Sequence, residues 1–483
     1  MIWRHLFGYL PANLVMGLTS FGTVYVFTRL LGADDYGRYA LVLAGMQLAH
    51  TLFLTWSEAG GYRFTQESLQ KGELADHIRT SLGLCLLSCV PALLVVAIGW
   101  LAVSDPAMRH AIAWLSLTLP TMTLLQMSLE IRKARQEVQR FSMMTIARAL
   151  GGLALGVVAA YWFDAGASAP FIGLGIASLV IATLEVIDLW KISRGGKFRS
   201  DRVRAFLTYG APISFALALE LGLSAGDRFL IAAYLDEASV GAYAAGYGVA
   251  DQTIRLLCMW AAMAGAPHLL AAWEKGGQNA LQEPGLQMSR MLVLITLPAA
   301  VGIALVATPL AEFMVGEDLR AQAAHIMPWI AVAGLLNGWM IYYFGEAFVL
   351  AKRTGLRAVM MLAPVLANIV LNMILLPRIG LMGAVYATVA CYALALVLSA
   401  LIGQRLARLP VPLVDVATAG LACVVMAGAT LLVPTIGGLP ELIAKAIVGA
   451  IAFGAAAIGL NAAGARDLVR TARSARSGDS QQS

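Results

Sequence analysis

Charge is scarce in this chain: Asp, Glu, Lys and Arg make up only 13% of its 483 residues, too few to clothe a soluble domain of that size. Cysteine is scarcer still. Cys85, Cys89, Cys258, Cys391 and Cys423 all fall inside apolar runs, without metal-ligand or extracellular framework spacing, and read as small packing residues. Histidine never takes the H-E-x-x-H spacing of a zinc protease; His50, His77, His110, His268 and His325 are scattered. No G-x-x-x-x-G-K-[ST] is present, so no P-loop ATPase is built in. "GLGIAS" at 173–178 lies in an apolar run and lacks the strand and acidic residue of a dinucleotide fold. No long outer loop is present either, which leaves none to house an active site. No catalytic residue, no metal site and no cofactor are expected.

What fills the chain instead is apolar surface: 59% hydrophobic residues and a mean hydropathy of +0.76. It comes in windows of about 20 to 25 residues, each able as a helix to cross roughly 30 Å of hydrocarbon. Fourteen can be drawn, near 7–30, 36–60, 79–103, 109–131, 141–163, 168–190, 205–233, 239–265, 289–311, 325–349, 356–376, 381–403, 411–433 and 439–460. They are continuous rather than alternating, which argues against a strand barrel and for an all-α membrane protein of 14 transmembrane helices. The first window starts too early and runs too long for a cleaved signal peptide, and no A-x-A-type site follows it, so it is expected to stay.

The basic residues mark one side. With Arg4 in the cytoplasm, every second connection is cytoplasmic, and those connections and the two ends hold 25 of the 34 Lys and Arg residues. The opposite connections, such as "LGADDYG", "VSDPAM" and "LDEAS", are neutral or acidic. This positive-inside pattern places both termini in the cytoplasm. It also accounts for the formal charge of +6, which is spread over eight segments without a compact basic domain, so no nucleic-acid partner is implied. The tail "RTARSARSGDSQQS" is polar, and disorder is expected over 463–483.

An internal repeat appears in the outer turns. "LGADDYGRYA" at 31–40 and "LDEASVGAYA" at 235–244 share Leu31 with Leu235, Gly37 with Gly241, Tyr39 with Tyr243 and Ala40 with Ala244, an offset of 204. Six helices separate the copies, so the halves are expected as parallel repeats facing a central cavity, a layout of alternating-access carriers. The implied division is 1–204 for a first six-helix lobe with its linker, 205–404 for a second, and 405–462 for helices 13 and 14.

Several charges fall inside the windows. Glu220 lies about 22 Å below the outer end of helix 7 and Arg255 about 24 Å along helix 8, at 1.5 Å per residue. Asp251 and Arg255 share a helix face at i,i+4. A lone charge at mid-bilayer costs on the order of 2.5–3.5 kcal/mol, so these groups should face protein or water. A static Glu220–Arg255 or Asp251–Arg255 tie and a charged cavity wall both fit. Arg29, Arg148, Arg228 and Arg255 sample several depths, which suits an anionic headgroup in transit. Asp227 neighbours Arg228 and can anchor helices or face the cavity. Glu58, Glu130, Glu185, Asp188, Glu312 and Glu346 lie near helix ends, where snorkelling or loop salt bridges explain them. Asn337, Asn368 and Asn372 can serve sugar hydroxyls or join helices.

Three stretches, "TRLLGADDYGRYAL" (28–41), "LTYGAPISFALALELGLSAGDRFLIAAYLDEASVGAYAAGY" (207–247) and "PRIGLMGAVYATV" (377–389), resemble the polysaccharide transport (Wzx-like) flippases of the multidrug/oligosaccharidyl-lipid/polysaccharide exporter superfamily. The resemblance implies two six-helix lobes in a V with two further helices, in the bacterial inner membrane. It implies a functional monomer that moves an undecaprenyl-pyrophosphate-linked glycan to the outer leaflet for capsule, exopolysaccharide or O-antigen assembly, among membrane lipids and beside a polysaccharide polymerase or other assembly proteins. The headgroup role then falls on Arg255, Arg29, Arg148 and Arg228. Asp227 and Arg228, with Gly37, Tyr39, Gly241 and Tyr243, match the family's structural motif. Coupling to a proton or sodium gradient would use Glu220 or Asp251. The rival readings are a small-solute or multidrug exporter, a peptidoglycan lipid-linked precursor flippase, and a membrane scaffold that transports nothing.

Overall fold

The computed structural model describes residues 2–467, with side chains from Pro11 onward. The arginine-bearing tail at 468–483 and the side chain of Arg4 lie outside the described residues. Every regular element described is helical. The chain packs as two units, Met1–Ala244 and Ala245–Ser483.

The first unit runs α1 Ile2–Leu30, α2 Gly32–Phe53, α3 Thr55–Gln70, α4 Leu74–Ala102, α5 Pro106–Ala134, α6 Val138–Phe163, α7 Ala169–Ile192, α8 Val203–Ala225, α9 Asp227–Tyr234 and the first turns of α10, Glu237–Gly276. The second continues α10 and adds α11 Gln282–Leu305, α12 Ala307–Met314, α13 Glu317–Trp339, α14 Gly345–Leu350, α15 Thr354–Ile379, α16 Leu381–Leu406, α17 Leu413–Leu431 and α18 Gly438–Leu460. Packing divides the chain after Ala244, whereas the repeat suggests a boundary at 204/205. The reason is that α8 packs along α2 and α3, and α9 along α2.

Among the described residues, eleven helical stretches are long and apolar enough to cross a bilayer, or up to twelve if α2 and α3, bent by 49°, form one span. This is an all-α, multi-pass membrane fold. One of the eleven is the 69-residue stretch Glu237–Leu305, which takes in both α10 and α11. Large apolar side chains such as Leu87, Ile98, Val424 and Ile451 are more than half exposed, as expected where hydrocarbon is the solvent.

Local chemistry sets the turns. Asp105 caps α5 by accepting from the Ala107 amide at 3.1 Å, with Pro106 at the first helical position. The same carboxylate accepts from Arg38 Nε at 2.6 Å, which ties α2 to α5. The two copies of the repeat meet within the first unit. A Cβ at Gly37 would lie 1.7 Å from the Glu237 carbonyl oxygen, and one at Gly241 would lie 2.8 Å from that of Ala33. The offset of 204 carries Ala33 to Glu237 and Gly37 to Gly241, so each contact is the exchanged counterpart of the other. Only glycine allows helices to cross this closely.

Candidate functional site

Polar side chains inside the first unit gather at two levels. Near the end of α5, Arg132 is 2% exposed and donates to Glu185 at 2.9 Å, to Glu137 at 2.8 Å and to Asp188. Arg140 donates to Glu185 at 2.7 Å and lies 3.0 Å from Asp188. This clamp joins α5, α6 and α7. It engages Arg132 and Arg140, which sequence reading treats as loop charges, and it gives Glu185 and Asp188 a packing role.

The second level lies at the break in the second apolar window. α2 ends at Phe53, Leu54 is fully buried, and α3 begins at Thr55. The Phe53 carbonyl accepts from Trp56 Nε1 at 2.8 Å, and that of Leu54 accepts from Ser57 Oγ at 2.8 Å, so local side chains satisfy the broken ladder. Across the break His50 Nε2 approaches Glu58 Oε1 at 3.1 Å, with side chains 16% and 8% exposed. The approach is an ion-pair distance, and neither of these two buried atoms makes a hydrogen bond among the described residues. Arg148 on α6 lies in electrostatic reach of both groups and donates to Gln126 at 3.4 Å; Gln126 donates to Glu130 at 3.1 Å.

The remaining predicted residues are distributed. Arg29 is exposed, donates to its own Tyr25 carbonyl at 2.7 Å and stacks 4.0 Å over the Tyr25 ring. Asp227 is fully buried and accepts from Tyr243 Oη at 2.8 Å, which joins α9 to α10. Arg228 is half-buried, in electrostatic reach of Tyr36 and Tyr39. Tyr39 stacks near Phe27 and Phe171. Glu220 is half-buried on α8.

In the second unit Arg255 Nε lies 3.8 Å from Asp251 Oδ2, and its guanidinium also donates to Gln252; Asp251 is buried and the Arg255 side chain is 53% exposed. Gly334 on α13 faces Asp251. Asn368 and Asn372 are both buried, and Asn372 Nδ2 donates to the Asn368 carbonyl at 2.9 Å. Tyr247 and Tyr392 pair through their hydroxyls at 3.1 Å. Among the described residues no group of three or more His, Cys, Asp or Glu side chains is placed to hold a metal ion.

Sequence reading missed the His50–Glu58 pair. It treats Glu58 as a helix-end charge and His50 as one of several scattered histidines. The available signal was two titratable residues eight apart in one window, followed by the polar run "TWSEAGG" that breaks the helix.

Comparison with known proteins places this architecture in a class. The fold is similar to a solved lipid II flippase MurJ in an inward closed conformation, at 14% identity and TM-score 0.74, covering 95% of this chain and 98% of that one. It is similar to an inward-facing multidrug resistance MATE family transporter of the MOP superfamily, at 15% identity and TM-score 0.63, covering 81% and 93%. A MOP superfamily transporter from Pyrococcus furiosus, described by the reverse polarity of its binding pocket, matches at 15% identity and TM-score 0.53, covering 83% and 92%. The fold is therefore shared with these solved proteins. Residues 26–322 match the family described as "Polysaccharide biosynthesis protein", and the chain belongs to that family. No curated protein matches it in sequence.

Proposed function

We propose that this protein is a flippase that carries a polyprenyl-pyrophosphate-linked saccharide from the cytoplasmic to the outer leaflet of a bacterial inner membrane. The observation that carries the reading is Arg148, a guanidinium held within the helical body beside Glu58 and Gln126. A pyrophosphate diester can displace a carboxylate from such a guanidinium by bidentate, charge-assisted hydrogen bonds. Arg29, Arg228 and Arg255 are the further headgroup contacts, with the prenyl tail left in lipid.

Within this class, the likeness to a lipid II flippase over 95% of the chain supports a peptidoglycan-type precursor better than a capsule, exopolysaccharide or O-antigen unit. The family match over 26–322 supports a polysaccharide repeat unit. Drug-exporter folds match over less of the chain. The membrane arrangement that goes with this reading is fourteen crossings, in two six-helix lobes plus two helices, with both termini cytoplasmic. The sequence windows coincide with helical stretches, some of them with two helices in succession, which supports it. Rocking of the lobes about one site moves the headgroup without bond chemistry. Glu220 and Asp251 are carboxylates through which an ion gradient can act, and amide variants that keep full gradient response exclude them.

The test is transbilayer movement in proteoliposomes, with a lipid II-type and a repeat-unit-type undecaprenyl-pyrophosphate glycan run side by side and an Arg148→Ala control. Movement of either glycan, lost in the variant, supports the flippase and identifies the glycan class. Failure of both under imposed ion gradients, with folded protein, rejects it in favour of small-solute export or a scaffold.

A further inference from the structure

We infer that the His50–Glu58 pair at the α2–α3 break is a proton-binding site whose occupancy sets how strongly Arg148 holds an anionic headgroup. The inference rests on the flippase reading for its ligand, while the proton site itself stands on geometry.

The geometry has three parts. The pair spans the last turn of α2 and the first turn of α3, across a 49° bend. His50 lies 18 residues after Gly32, roughly 27 Å along the helix, so the pair sits at the end of α2 far from the α1–α2 turn. Both facing atoms are buried and lie 3.1 Å apart, and neither makes a hydrogen bond among the described residues. A tie of this kind contributes little as packing, since it places a titratable ring where an apolar pair would cost less.

The charges around it define what a proton does. Arg148 faces the pair from α6, and the Cys85 and Cys89 thiols approach it from α4. From α5, Glu130 is linked through Gln126 to Arg148. From α8, Gly210 lies against Trp56, and Glu220 is the remaining carboxylate, about 15 Å further along that helix. Asp227 and Arg228 of α9 stand instead at Tyr243, Tyr36 and Tyr39, toward the start of α2.

With His50 neutral, Glu58 and Arg148 cancel, and the trio is neutral in a medium that penalises net charge. One proton on His50 engages Glu58 in a full ion pair and leaves Arg148 with excess positive charge. A pyrophosphate diester is fully ionised across the neutral range and restores the balance. Proton and headgroup therefore bind cooperatively, and by linkage each raises the other's affinity by the same factor. Because the pair bridges the bend, the charge change is also a change of force between α2 and α3.

The experiment has two arms on the full chain in nanodiscs. The first needs no lipid substrate. In 15N-histidine spectra the His50 signal, identified by its loss in His50→Asn, passes between neutral and protonated forms between about pH 5 and about pH 8, and Glu58→Gln displaces the midpoint. A His50 signal that stays constant over that range overturns the proposal. The second arm measures binding of farnesyl-pyrophosphate-linked N-acetylglucosamine. Affinity rises about 10-fold from about pH 8 to about pH 6 in the unaltered protein and is flat in His50→Asn and in Glu58→Gln, both near-isosteric. An unchanged slope in both variants overturns it. If the probe binds at no pH while His50 still titrates, the flippase reading fails and the proton site stands.

Discussion

The two units bury different kinds of polar group. In the first, ionisable groups lie within the helices and face one another: Arg132 with Glu185, and His50, charged only when protonated, with Glu58. In the second, the buried polar residues on α15 and α16 are neutral amides and hydroxyls, Asn368, Asn372, Thr388 and Tyr392, and the pair Arg290–Asp415 at 3.2 Å leaves its arginine side chain 40% exposed. Glu441 and Lys445 on α18 are the second unit's buried ion pair, four residues apart on one helix. Among the described residues, the cluster of charges that joins three helices around a fully buried carboxylate lies in the first unit, whereas Arg290–Asp415 ties α11 to α17 as a single, partly exposed pair. Amides and hydroxyls join helices by hydrogen bonds that do not titrate, which suits a more constant scaffold.

The sharpest way to break this contrast is to remove one charge from each unit. Arg132→Ala removes one of the two arginines that hold the fully buried Glu185 and leaves it with Arg140 alone, and is expected to cost about 3 kcal/mol, read as a large fall in thermal unfolding temperature in detergent. Loss of a degree or two only would show that the clamp is incidental. Arg148→Ala leaves the fold in place and is expected to slow headgroup-dependent transport by about 10–100-fold, the worth of one or two charge-assisted hydrogen bonds. Arg255→Ala in the second unit, half exposed already, should cost less than that in the same assay. An equal or larger loss at Arg255 would reverse the ranking of the two units.

Smaller effects sharpen the picture. Gly37→Ala and Gly241→Ala each push a Cβ into a facing backbone, and an overpacking cost of about 1–3 kcal/mol is expected for either. The loss is expected to be larger at Gly37, where the added Cβ would lie 1.7 Å from a carbonyl oxygen, than at Gly241, where it would lie 2.8 Å away; a neutral change at Gly37 would show that the crossing relaxes. Last, Arg290→Ala should change stability by about 1 kcal/mol or less, because solvent screens a partly exposed pair. A loss as large as that of Arg132→Ala would erase the distinction between the units.

Helices and membrane character were legible in the sequence because a span needs a long apolar run, and that is a one-dimensional property. The fourteen windows fall on helical stretches for this reason, with breaks inside those at 36–60, 205–233 and 289–311, and eleven or up to twelve stretches among the described residues are long and apolar enough to span. The glycines of the repeat were legible as a pattern, but that Gly37 meets Glu237 and Gly241 meets Ala33 required the fold. The Asp227–Arg228 neighbourhood shows the limit. Adjacent residues on a helix diverge by about 100°, and here Asp227 accepts from Tyr243 while Arg228 stands by Tyr36 and Tyr39.

The sequence by itself determined that this chain lives in a bilayer as a bundle of helices, because hydrophobic length and the distribution of Lys and Arg are set residue by residue along the chain. Only the tertiary structure decided which charges meet. Pairing energy depends on distances between helices remote in sequence and on the burial those helices create, as for Arg132 with Glu185 and Arg148 beside Glu58. Even His50 and Glu58, eight residues apart, meet only because the chain bends at Leu54 between them.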